Sequence, residues 1–165
     1  MADDEQRHIA HHVDQAGTSA SRSKLGAIFR TADAFGVSRL HLCGFTPTPE
    51  NASVAKTALG ADQTIPWNSA RNALLRAREL KEAGAQLWAL EQDERALPLT
   101  GMPDSPISGS ATVLIVGNEI SGVDPGLLDL CDRIVYIPMR GQKRSLNVEV
   151  AFGVAVHTLS LSPLP

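Results

Sequence analysis

Residues 111 to 116 read Ala-Thr-Val-Leu-Ile-Val, and the chain then turns directly into Gly117-Asn118-Glu119. A short, almost unbroken apolar run that stops at a glycine turn is the pattern of a strand buried on both faces, as in the centre of a parallel sheet covered by helices. That one segment commits the chain to an α/β layout. It also says where to look for chemistry, because ligands of such sheets sit beyond the carboxyl ends of the strands.

The rest of the sequence supplies the alternation that this layout needs. Ile9 to Val13 is a candidate first strand, and Gly17 to Ser23 reads as a loop of small hydroxylated residues. From Leu25 the spacing is helical, with Leu25, Ile28, Phe29 and Ala32 on one face and Gly36 at the position that ends a helix. Val37 to Cys43 predicts a strand, Ser53 to Leu59 a short helix, and Gln63 to Trp67 another strand. Ser69 to Ala83 predicts an amphipathic helix capped by Ser69 and stopped by Gly84. Leu87 to Leu90 is a further strand, and Pro98 to Gly109 a proline- and glycine-rich surface connection. Asp124-Pro125 opens a short helix, Arg133 to Ile137 is the next strand, and Leu146 to Leu159 a closing helix. The expected fold is a largely parallel sheet with helices on both faces, in one domain over residues 1–165 whose first eight residues are polar and loose.

With 43% hydrophobic and 20% charged residues the composition is that of a folded globular chain. The formal net charge of −3 means that any contact with nucleic acid is local rather than spread over the surface. No apolar run approaches the ~20 residues that span a bilayer, and the acidic N-terminus does not resemble an export signal. Cys43 and Cys131 lack a CxxC or metal-like spacing, which suits reduced thiols and a cytoplasmic location. His8, His11 and His12 raise the idea of a metal site, but in a polar setting without a further ligand they read as solvated histidines, and no metal is expected.

Three segments carry candidate chemistry. Arg30 is offset by about 100° from Phe29 on the first helix and is free to face a cleft, although a lone helix arginine is more often simply solvated. Gly117 allows a ligand to approach the backbone after the buried strand, and Glu119 in the same turn offers a carboxylate that can orient an arginine. Arg140, Lys143 and Arg144 form the densest basic cluster in the chain, followed by Ser145 and Asn147 at a helix N-terminus with unpaired amides.

Together these segments resemble the motifs of the SpoU/TrmH family of RNA ribose methyltransferases, within the SPOUT superfamily. Gly26-Ala27-Ile28-Phe29-Arg30-Thr31-Ala32 with Ala34-Phe35-Gly36 looks like the first motif. Gly117-Asn118-Glu119 with Gly122 looks like the second, and Ile137-Pro138-Met139 with Ser145-Leu146-Asn147-Val148 like the third. Lys56-Thr57-Ala58-Leu59-Gly60-Ala61 is similar to a loop that the family carries between the first two. The resemblance runs from about Leu25 to Phe152.

The resemblance implies a parallel α/β sheet whose C-terminal segment threads a deep trefoil knot, otherwise nearly absent from proteins. It implies an S-adenosylmethionine pocket built largely from backbone at Gly117, Ile137 and Leu146, and a homodimer whose two chains complete each active site. By the same carry-over Arg30 polarises and positions the ribose 2′-hydroxyl, helped by Glu119, Ser145 and Asn147; the basic cluster Arg140, Lys143 and Arg144, and Lys24 beside Arg30, are on charge alone the expected contacts to RNA. Arginine stays protonated at ordinary pH, so alignment of two bound reactants is the expected source of catalysis.

Two positions depart from the family pattern. Lys24 stands where the first motif usually has asparagine, and Glu149 where many relatives carry a small residue. Lys24 and the acidic overall charge motivate a second reading, an impaired module that binds S-adenosylmethionine or RNA without turnover. The length of the chain favours transfer RNA over ribosomal RNA as substrate, since relatives that act on the latter often carry an additional RNA-binding domain.

Overall fold

The computed structural model describes residues 10–14, 19–100, 110–118 and 120–160. In chain order its elements are β1 (Ala10–Asp14), α1 (Ser19–Ala34), β2 (Arg39–Cys43), α2 (Ala52–Ala58), α3 (Ala61–Thr64), β3 (Trp67–Ala70) and α4 (Ala73–Glu82). They continue with β4 (Gln86–Leu90), β5 (Leu97–Pro98), β6 (Thr112–Val116), α5 (Pro125–Leu130), β7 (Arg133–Tyr136) and α6 (Val148–Ser160). The seven strands form one sheet in the order β3-β2-β1-β6-β4-β7-β5, and every pairing is parallel.

The apolar run from which the α/β layout was read is β6, buried along its whole length between β1 and β4. Its side chains alternate between two cores, as the twofold period of a strand requires. Leu114 and Val116 join α1, α2 and α6 on one face, while Val113 and Ile115 join α4 and α5 on the other. β4 divides in the same way, Trp88 to the first core and Leu87 with Ala89 to the second. Trp88 is fully buried, and the Arg133 guanidinium, directly across on β7, lies 5.0 Å from the centre of its ring.

Helix α1 buries the four residues expected of it, Leu25, Ile28, Phe29 and Ala32. Beside that face stands Gly26: a Cβ there would overlap the Thr57 side chain and come within 2.8 Å of the Ala58 backbone nitrogen, so the glycine is what lets α2 lie so close. α6 lies along α1, with Gly153 at Thr31 and the His157 ring edge-on to Phe35 at 5.4 Å between centroids.

Four local expectations are corrected. Ser19 to Ser23, read as loop, forms the first turns of α1, because small residues tolerated in a helix are carried into it by the packing that follows; Gly17 and Thr18 lie outside the described residues. Gln63 to Trp67 is not a strand: α3 ends at Thr64 and β3 begins at Trp67. Ser69 therefore belongs to β3, opposite Leu42, and α4 is capped by Asn72, whose Oδ1 accepts from the Leu75 amide at 2.9 Å. The closing helix starts at Val148, and the Asn147 carbonyl accepts from the amides of Val150 and Ala151 at 3.0 and 2.9 Å, so Asn147 rather than Ser145 occupies the capping place. By contrast α5 follows expectation, with Pro125 in its first turn and Asp124 Oδ1 accepting from the Gly126 amide at 2.8 Å.

Candidate functional site

Parallel strands deliver all their carboxyl ends to one edge of the sheet, and at that edge β4, β6 and β7 frame a cavity of about 460 Å³. Gly117 follows β6, Ile137 follows β7, and Leu146 lies on the segment leading to α6; all three line the cavity. The pocket residues expected from the sequence are therefore brought together. Leu90, Val116 and Val148 add apolar wall, and Glu91, Asn118 and Ser145 add polar groups.

The loop after β6 is held by its own hydrogen bonds. Asn118 Oδ1 accepts from the amides of Ile120 and Ser121, both at 2.8 Å, and Asn118 Nδ2 donates to Ser121 Oγ at 2.6 Å. The chain closes where Gly122 N donates to the Asn118 carbonyl at 2.9 Å, with Gly122 at φ 68°, a conformation that suits glycine. A Cβ on Gly117 would collide with backbone atoms of Gly122 and Val123. Sequence reasoning assigned Gly117 to ligand approach; its first duty is to the loop's own return strand.

Of the expected catalytic and RNA-facing residues, Ser145 and Arg144 line the cavity, and Arg144 thereby stands at the pocket wall. Arg30 and Asn147 are exposed and Lys24 is half-buried on α1; none of these three lines the cavity of its own chain. Arg140 and Lys143 are exposed and off the wall as well. Glu119 lies outside the described residues. No group of His, Cys, Asp and Glu able to hold a metal occurs among the described residues; His8 is not among them, and His11 and His12 lie on β1.

The end of β4 was missed. Glu91 Oε1 accepts from the Gln92 amide and Oε2 from the Val123 amide, each at 2.8 Å, joining this strand end to the loop after β6. Gln92 Nε2 donates to the Arg144 carbonyl at 3.1 Å, joining it to the segment before α6. Asp93 also lines the cavity, but its carboxylate is taken up by Arg95, whose hydrogen bonds hold its pKa at about 2. The available signal was a carboxylate directly after a predicted strand. Elsewhere, burial pushes the His41 pKa down to about 4 and keeps the ring neutral beside Asn68.

Comparison with known proteins places the chain among RNA methyltransferases in sequence and fold. The chain is 36% identical over 135 residues to the 23S rRNA (guanosine-2′-O-)-methyltransferase RlmB of Neisseria meningitidis serogroup B, a match covering 80% of this chain and 51% of that protein. It is also 36% identical over 135 residues to the 23S rRNA (guanosine(2553)-2′-O)-methyltransferase RlmP of Bacillus subtilis, covering 82% and 52%. The chain thus spans about half the length of these curated relatives. An AdoMet-bound rRNA methyltransferase from Sinorhizobium meliloti superposes with a TM-score of 0.82 at 26% identity, covering 93% of this chain and 56% of that one. Residues 21–157 match the model of the SpoU rRNA methylase family, and with that the chain belongs to this family.

Proposed function

We propose that this chain is an S-adenosylmethionine-dependent RNA methyltransferase acting on a ribose 2′-hydroxyl, with ribosomal RNA as substrate. The observation that carries the reading is the convergence of Gly117, Ile137 and Leu146 on one cavity at the carboxyl ends of β4, β6 and β7. About 460 Å³ falls within the usual size of small-molecule sites. The wall fits a nucleoside thioether, with apolar side chains to flank a ring and polar groups at Glu91, Asn118 and Ser145 for its substituents. The bound cofactor supplies an electrophilic methyl group on a sulfonium. Arg30 would orient the 2′-hydroxyl and fix its line of approach, Asn147 and Ser145 would place the ribose, and the hydroxyl proton would be released to solvent as the methyl group is transferred.

The expectation of a transfer RNA substrate rested on length, which carries no weight for a chain spanning half of its relatives. Those relatives are named for 23S rRNA, which favours ribosomal RNA and, with it, a cytoplasmic location. No helix among the described residues is long and apolar enough to cross a membrane. Incubating the protein with labelled S-adenosylmethionine and unmodified 23S rRNA should yield 2′-O-methylnucleoside on digestion and mass spectrometry. Label in transfer RNA alone would reverse the substrate assignment.

The reading includes a homodimer and the knot of the family. Arg30 and Asn147 stand off the cavity of their own chain, which suits a site completed by a second copy. Val150 and Val154 are exposed on α6, with Phe35 exposed at the end of α1, leaving apolar surface on this side. In support of a knot, the segment between β7 and α6 reaches the end of β4 through the Gln92 bond before α6 packs along α1. Sedimentation at micromolar concentration should give a dimer; a monomer would contradict the shared site.

A further inference from the structure

We propose that Glu91 reads the ribose hydroxyls of the bound cofactor, an inference that rests on the cofactor reading above and assigns a specificity residue to that pocket. Glu91 is the first residue after β4 and lines the cavity between the loop after β6 and the segment after β7. Its two oxygens are held by separate backbone donors, Gln92 N on Oε1 and Val123 N on Oε2, both at 2.8 Å. Each carboxylate oxygen offers two lone pairs, so one anchor apiece fixes the plane of the group and leaves an acceptor position on each oxygen. Two fixed, adjacent acceptors are the arrangement that a vicinal diol can meet with both of its O–H groups. Hydrogen bonds of this charge-assisted kind are stronger than neutral ones, and a carboxylate beyond a strand end serves dinucleotide-binding sheets in the same way.

The other carboxylate and amide side chains on the same wall are already engaged. Asp93 holds Arg95 through both side chains, Asn118 Oδ1 accepts two backbone amides, and the Gln92 amide is given to Arg144. Gly122 points the same way: a Cβ at this position would overlap Glu91 Oε2, so the loop is bare where the carboxylate needs to lie. Leu90, Val116, Ile137 and Leu146 supply apolar surface on which the attached base can rest.

Titration calorimetry with S-adenosylhomocysteine and with its 2′,3′-dideoxyribose analogue separates this role from that of a loop clamp. The wild type should bind the ribose form about tenfold or more tightly than the dideoxy form, the range for hydrogen bonds to a charged group. Glu91→Ala and Glu91→Gln should bring the ratio of the two affinities close to one, and that ratio is insensitive to a uniform loss of stability. A variant that weakens both ligands equally, keeping the wild-type ratio, overturns the proposal and leaves Glu91 as a clamp on Val123. A wild type that binds both ligands alike overturns it too. A wild type that binds neither overturns the cofactor reading beneath it.

Discussion

Replacing Arg30 with alanine should lower the rate of methyl transfer by about 10²-fold or more, the cost of losing the group that holds the nucleophile in line. Arg30 is exposed on α1, outside the cavity wall of its own chain, so its loss leaves the pocket formed by Gly117, Ile137 and Leu146 intact. S-adenosylmethionine affinity by calorimetry should therefore change little while kcat falls, the pattern of an interaction made in the transition state. The helix itself should survive, since Arg30 lies away from the buried face of Leu25, Ile28, Phe29 and Ala32 and alanine is a good helix former. Arg30→Lys should recover only a fraction of the rate, because an ammonium cannot reproduce the planar fork of the guanidinium. Unchanged turnover in Arg30→Ala would leave this residue a solvated helix arginine.

Gly117→Ala should strongly weaken binding at the cavity. The added Cβ meets the Gly122 and Val123 backbone, which is not the movable end of a side chain, so the loop must open. Opening separates Gly122 N from the Asn118 carbonyl and Val123 N from Glu91. Two hydrogen bonds at about 1–1.5 kcal/mol each correspond to a roughly 30–150-fold weaker S-adenosylmethionine affinity. Calorimetry on a variant with a cooperative thermal transition checks this. Affinity within about threefold of wild type would show that the loop has slack and that Gly117 is not constrained by its own chain.

Local pattern in the sequence was enough for the elements whose surroundings are uniform. β6 is covered on both faces and reads as apolar throughout; α1 has one covered face and reads with helical spacing. β3 failed for the opposite reason. It is an edge strand, Trp-Asn-Ser-Ala, only partly buried, and its period is too faint to separate from the α3 turn before it or the Asn72 cap after it. Glu91 failed for a different one. The strand it follows, β4, is inserted between β6 and β7, two strands consecutive in the chain, and nothing near residue 91 announces that placement. Gly117, Ile137 and Leu146 could be grouped in advance because recurring motifs preserve what spacing alone cannot express, the meeting of distant loops at one sheet edge. Asn147 and Arg30 were named on the same basis, and a single chain does not bring them to the cavity.

The position of β1 bears on how this chain is made. β1 pairs with both β2 and β6, so Ala10 has one neighbour at Arg39 and another at Val113. During synthesis the first of these emerges early, but the second follows about a hundred residues after Ala10, a delay of roughly 5–20 s at ordinary rates of elongation. Throughout that interval the strand destined for the middle of the sheet has an unpaired edge, the situation in which nascent chains associate wrongly. Sequence-distant pairing of this kind also slows folding once the chain is free. β1 is enclosed only when β6 has appeared, and yield from the ribosome should depend on how its open edge is shielded in the meantime.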